Sequence, residues 1–172
     1  MHPDSFVDHP DARRATEELR AYLATPEGSD LNNVCWYLFA RLAQLNPFLV
    51  REYDRCFEAQ PSPVLVLILA QCGDDESKAL LARHRGQTPA CEEMIEWVME
   101  NWNPGFIRPL ERKANSSADL DLLWCEYRVT RDLAAVRQVI DVLEWPDEFR
   151  RLCSAKIQSG VMQPPEKTFF TQ

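Results

Sequence analysis

Four dipeptides punctuate this chain, Asn46-Pro47, Ser62-Pro63, Thr88-Pro89 and Asn103-Pro104. Each joins a side chain that can accept from the first free N–H groups of a helix to a proline suited to the first helical position. Proline has no N–H to satisfy there, and its fixed φ is already helical. The repeated signal predicts helices that open within a residue or two of Pro47, Pro63, Pro89 and Pro104. A chain marked in this way is expected to be all-α. We expect eight to ten short helices in antiparallel pairs, stacked as a short array or an irregular bundle, with no sheet.

Hydrophobic spacing fills in the elements. From Asp11 a helix places Ala15, Leu19, Tyr22 and Leu23 on one face, and Thr25-Pro26-Glu27-Gly28 ends it. Asp30 is placed to cap a second helix over 31–45, with Val34, Leu38, Leu42 and Leu45 as its stripe. A third, over 47–59, carries Leu49, Val50, Tyr53, Cys56 and Phe57. The next run, PVLVLILAQC, is apolar all round, and a buried strand is the rival reading. A helix is preferred because Ser62-Pro63 opens it and Gly73 closes it. The fifth helix begins with Asp74-Asp75-Glu76 and ends with Arg83, His84 and Arg85, an order that complements the helix dipole. His84 is read there as a helix-terminal surface residue. A sixth helix spans 90–101, and a weaker one, confined or kinked by Pro109, spans 104–114.

The stretch 118–145 reads as a helical hairpin broken only by Thr130-Arg131-Asp132. Leu120, Leu123, Trp124 and Tyr127 share one face of its first arm, and Leu122, Cys125 and Val129 cover a second, so this arm is expected to be central. In the second arm Leu133, Val136, Ile140 and Leu143 form the stripe, backed by Val139 and Val142, with Asp132 as N-cap. The expected organisation is a flexible arm over 1–10, a single helical domain over 11–153 and an extended tail over 154–172.

The segment Leu120 to Leu143, LDLLWCEYRVTRDLAAVRQVIDVL, resembles a pattern found in small helical bacterial proteins of unknown function, roughly LDLLWxEFxxTGDxxAVxxIIxxL. Arg131 stands where that pattern has glycine. The hairpin is also loosely similar to tetratricopeptide-type helical arrays. Both resemblances imply stacked helices, and neither brings an active site.

Charge and cysteine usage narrow the functional classes. Nineteen basic against 27 acidic residues leave a net charge of −8. Nucleic-acid and anionic-membrane binding are disfavoured, since both need clustered Lys and Arg. The N-terminus carries no apolar run of the kind a secretory signal needs, so a cytoplasmic protein is expected. Cysteines at 35, 56, 72, 91, 125 and 153 all adjoin apolar helical runs and are read as free, buried thiols. Cys35 and Cys56 are the one pair that a hairpin turn at Asn46-Pro47 places opposite each other. Histidines stand only at 2, 9 and 84, far apart in sequence, so no metal site and no cofactor are expected.

The sixth helix is the electrostatic exception. Glu92, Glu96 and Glu100 stack at i, i+4 and i+8 with Glu93 beside them, and no basic residue falls between 91 and 101. Like charges at this spacing repel by about 0.2–0.5 kcal/mol per pair. A solvated face explains such a stripe, and so does a landing strip for a cationic partner. Trp97 and Trp102 follow it, as core residues or as interface anchors. The function that fits is a non-enzymatic protein-binding module or adaptor, with Glu92, Glu93, Glu96, Glu100, Trp97 and Trp102 as the candidate partner-binding residues. An immunity-type inhibitor of a basic toxin is a narrower form of that reading. An enzyme or small-ligand binder with a site between helices is the alternative of another class.

Overall fold

The computed structural model describes residues 11–103 and 105–143. Among them are eight α-helices, one 3-10 turn and no strand. The helices are α1 (Ala12–Leu23), α2 (Trp36–Leu45), α3 (Phe48–Ala59), α4 (Pro63–Cys72), α5 (Asp75–His84), α6 (Glu92–Glu100), α7 (Ser117–Thr130) and α8 (Leu133–Leu143). The 3-10 turn is Pro109–Glu111.

Each of α2 to α5 packs on the next helix in sequence, and α1 to α4 each pack also on the one after that. This is the neighbour pattern of a stacked helical array. The array does not run on, because α7 returns to pack on α2 and α8 packs on α7. Helix α4 lies at the middle, in contact with α2, α3, α5 and α6. That position explains its composition. Val64, Leu65, Val66, Ile68 and Leu69 are all fully buried, so the helix has no polar face to spend on solvent. Gly73 ends it in the left-handed region at φ 75°, the conformation its sequence position called for.

Helix α7 buries residues on two sides, as its spacing indicated, except that Trp124, expected on the face of Leu120, Leu123 and Tyr127, is exposed. Leu122, Cys125 and Val129 join the main core, while Leu123 lies in a second cluster with Ala114, Ala135, Val139 and Val142. Its end is built locally. Arg131 takes φ 59°, the left-handed conformation usually left to glycine, and its N–H closes on the Tyr127 carbonyl at 2.8 Å. Asp132 then accepts from the Ala134 N–H at 2.8 Å and starts α8.

Four other expectations need correction. Helix α2 begins at Trp36, because Asp30 and Asn33 fold their side chains onto the N–H groups of Asn32 and Cys35, both at 2.9 Å, and hold 31–35 in turns. Helix α6 opens three residues after Pro89, beyond a turn closed by the Cys91 N–H on the Thr88 carbonyl. No α-helix forms over 105–114. Gln71 instead takes both backbone groups of Ile107, donating to its carbonyl and accepting from its N–H at 2.9 Å each, so Ile107 has no partner left for a helix. Pro104 lies outside the described residues, as do 1–10 and 144–172, on which the arm and tail expectations fall. Finally, α8 buries Ala135, Val139 and Val142 and leaves Leu133 (69%) and Ile140 exposed. Positions 135, 139 and 142 are an equally good i, i+4, i+7 stripe, and the Arg131–Asp132 joint turns that face toward α7.

Candidate functional site

Helix α6 is oriented by Ile95 and Val98, its two buried residues. Their burial turns Glu93, Glu96, Trp97 and Glu100 outward. The acidic stripe is not uniform. The Glu92 carboxylate accepts from the Gly86 N–H at 2.6 Å, and Glu96 pairs with Arg85 at 3.3 Å. Both Glu96 and Arg85 are half-exposed, so this pair contributes little. Among the described residues Glu93 and Glu100 make no ion pair. The stripe is thus half satisfied from within the chain, through residues of the α5–α6 connection.

The aromatics beside it form a cleft of about 150 Å³ lined by Trp97, Val98, Trp102 and Phe106, with Ala70 of α4 at its floor. Trp97 is 54% exposed on its rim. Trp102 is partly buried, with the Lys78 ammonium 5.4 Å from its ring centroid. Phe106 is exposed on one side and stacks against Trp36 at 6.2 Å on the other. Trp97 and Trp102 therefore meet in one apolar cleft with Glu93 and Glu100 on the same helix.

A second cluster was not foreseen. His84 is only 6% exposed, not a surface residue. Ser77, Leu81 and His84 form the inner stripe of α5, and this spacing carries the imidazole into the α3–α5 interface. There Nε2 lies 2.7 Å from Asp54 Oδ1, and Phe57 covers the ring at 4.7 Å. Arg83, on the adjacent position, reaches Asp54 Oδ2 at 2.5 Å and Glu58 Oε1 at 2.9 Å. A cavity of about 430 Å³ opens beside this group, lined also by Pro61, Gln87 and Thr88. The i, i+4 pair Asp54 and Glu58 was the available signal, since it places two carboxylates on one face of α3.

A third feature joins α7 to α2. Glu126, 3% exposed, accepts from the Tyr37 hydroxyl at 2.8 Å and from Arg41 Nε at 3.0 and 3.2 Å. Arg41 continues to Gln44, and Gln44 donates to the Gln71 carbonyl. The network borders a cavity of about 380 Å³. Burial, and then the hydrogen bond to Glu126, push the Tyr37 phenol well above its usual range.

No disulfide joins any of the five described cysteines to another. Cys35 is exposed and Cys56 buried, so the pair that the sequence placed opposite each other is not joined, and Cys35 departs from the expectation of burial. Burial pushes the Cys125 thiol up to about 12 and raises Cys72 further, which leaves both protonated and inert as nucleophiles. No described helix is long and apolar enough to cross a membrane. Compared with known proteins, the chain matches no family, no curated sequence and no solved structure.

Proposed function

We propose that this protein is a non-enzymatic binding module whose partner is a basic protein segment seated on the Trp97–Phe106 cleft. The observation that carries the reading is Trp97, a large aromatic left 54% exposed at the mouth of an apolar cleft. Tryptophan at such a site supplies rigid contact area at low entropic cost, and interfaces concentrate their energy in residues of this kind. Glu93 and Glu100, without ion pairs among the described residues, flank Trp97 at i−4 and i+3 on the outer face of α6 and favour Lys or Arg beside an apolar anchor. A net charge of −8 adds long-range attraction for the same partner. The enzymatic alternative has weaker support. The one hydroxyl that lines the cavity beside His84 is Thr88, and His84 Nε2 is engaged with Asp54 Oδ1 rather than with it.

Peptide selection from a random library on the full-length protein tests the proposal. Recovered sequences are expected to share an aromatic or aliphatic anchor flanked by basic residues. Their affinity is expected to fall in Glu100→Lys, mainly through a slower and less salt-sensitive on-rate, with thermal melting unchanged. Selected sequences with no basic bias, or binding indifferent to Glu100→Lys in a folded protein, would refute it.

A further inference from the structure

We propose that Asp54, Glu58 and His84 form a binding site for a divalent cation of borderline character, Mn²⁺, Co²⁺ or Zn²⁺, in which the Arg83 guanidinium holds the cation's place. The three residues are the one group among those described whose ligand atoms, two carboxylate oxygens and an imidazole nitrogen, all lie within 4.8 Å of one another. Ligands about 2.1 Å from a common ion and grouped on one side of it lie about 3.0–3.4 Å apart; Asp54 and His84, at 2.7 Å, are already that close, and the set is completed by an inward shift of the third ligand. The half-exposed Glu58 supplies that shift, since its side chain is held only by Arg83. Asp54 and His84 are the rigid half. Both are over nine-tenths buried, and the imidazole is fixed by Phe57 on its face and Asp54 at its edge.

Arg83 is the second observation. Its Nη2 touches both carboxylates at once, at 2.5 and 2.9 Å, so a positive charge already sits where the two acids converge. Yet its side chain is half-exposed and anchored by nothing else among the described residues. Its contact with Glu58 is exposed on both sides and weak, and at the buried Asp54 the incoming ion supplies the positive charge that the guanidinium takes away as it leaves for solvent on its long stem. The neighbouring cavity of about 430 Å³ gives it room and leaves space for water to complete the coordination shell. One N-ligand with two O-ligands on one side of an ion and open positions on the other suits Mn²⁺, Co²⁺ and Zn²⁺ better than Ca²⁺ or Mg²⁺, which prefer oxygen alone. The exchange conserves protons in a defined way. An ion needs a bare His84 Nε2, so a hydrogen shared there with Asp54 moves to Nδ1 in a neutral ring and goes to solvent from an imidazolium.

Mn²⁺ is the probe, because it avoids thiolates and so ignores the six cysteines. Titration of full-length protein followed by electron paramagnetic resonance is expected to show one saturable site, with nitrogen coupling from an imidazole in the pulsed spectrum. Replacing His2 and His9 by Gln is expected to leave that coupling in place. Glu58→Gln, at a half-exposed position that does not threaten folding, is expected to weaken binding at least about tenfold. Arg83→Ala is expected to tighten it about fivefold, the reverse of what any loss of folded structure would do. Lack of a saturable site in the wild-type protein overturns the proposal, as does affinity unchanged by Glu58→Gln. Weaker binding in Arg83→Ala overturns the displacement.

Discussion

Glu126→Ala removes a buried carboxylate that ties α7 to α2, and the cost can be built up from its surroundings. The Tyr37 hydroxyl, in a residue 2% exposed, loses its acceptor at 2.8 Å. An unsatisfied buried hydroxyl costs about 1–3 kcal/mol. Arg41, with its side chain 27% exposed, keeps Gln44 and some solvent, and loses about 1 kcal/mol. The lost methylene and carboxyl contacts add about 1 kcal/mol. The total, about 3–5 kcal/mol, is in the range found when one member of a buried ion pair is removed. Arg41→Ala leaves Glu126 with Tyr37 alone and is expected to cost about 3 kcal/mol. If the pair acts as a unit, the double variant costs less than the sum by about 1.5–2 kcal/mol, because neither charge is then stranded. Urea unfolding of the four proteins measures the cycle, with unchanged slopes confirming a common transition. A Glu126→Ala cost below about 1 kcal/mol, or strict additivity, would show that α7 is held by its apolar faces alone.

Other consequences follow from close packing and burial. A Cβ at Gly28 would lie 2.0 Å from the Tyr22 carbonyl oxygen and 2.8 Å from Leu23 Cα, both backbone atoms, so Gly28→Ala is expected to cost about 3 kcal/mol or more in chemical denaturation. Alkylation of the native protein, read by peptide mass spectrometry, is expected to label Cys35 first among the described cysteines and Cys72 and Cys125 last. The same burial gives an alkaline instability. Cys125 stays protonated in the fold up to about 12, whereas in the unfolded chain it titrates near about 8.5. Folded protein therefore holds a proton the unfolded chain has released, and stability falls as pH rises through that window by about 1.4 kcal/mol per unit. Unfolding free energies measured between about pH 8 and 10 should decline less steeply in Cys125→Ala; parallel declines would count against it.

The local half of this structure was legible and the long-range half was not. Asn46-Pro47 and Ser62-Pro63 mark helix starts that occur, although neither Asn46 nor Ser62 caps through its side chain: Asn46 donates back to the Leu42 carbonyl, and the helical φ fixed by proline is the part of the signal that holds. Gly73, Asp74 and Asp132 also behave as their positions dictate. The signal fails where another partner competes for the same backbone. Asp30 and Asn33 divert the start of α2 into turns, and Gln71, 36 residues from Ile107, takes the backbone groups a helix over 105–114 would need. At the candidate sites, Trp97 and Trp102 were singled out from their place after an acidic stripe, and the fold brings them to one cleft. The partial relief of Glu92 and Glu96 was not legible, since it comes from Gly86 and Arg85 across a turn. Nor was the burial of His84, whose partner Asp54 is 30 residues away. Contacts of this kind depend on how α3 meets α5, which hydrophobic spacing along either helix does not specify.

Two exposed tryptophans on different helices allow a direct test of where this protein binds. Trp97 stands on α6 at the cleft, and Trp124, 45% exposed, stands on α7 against Tyr127. Each is replaced by alanine, and both variants are checked for unchanged melting. The affinity of a library-selected basic peptide is then measured by calorimetry. Binding centred on the α6 cleft requires Trp97→Ala to lose about 30-fold or more, the scale of an interface hot spot, while Trp124→Ala binds as the wild type does. Equal losses in the two variants, or a loss confined to Trp124→Ala, would contradict it.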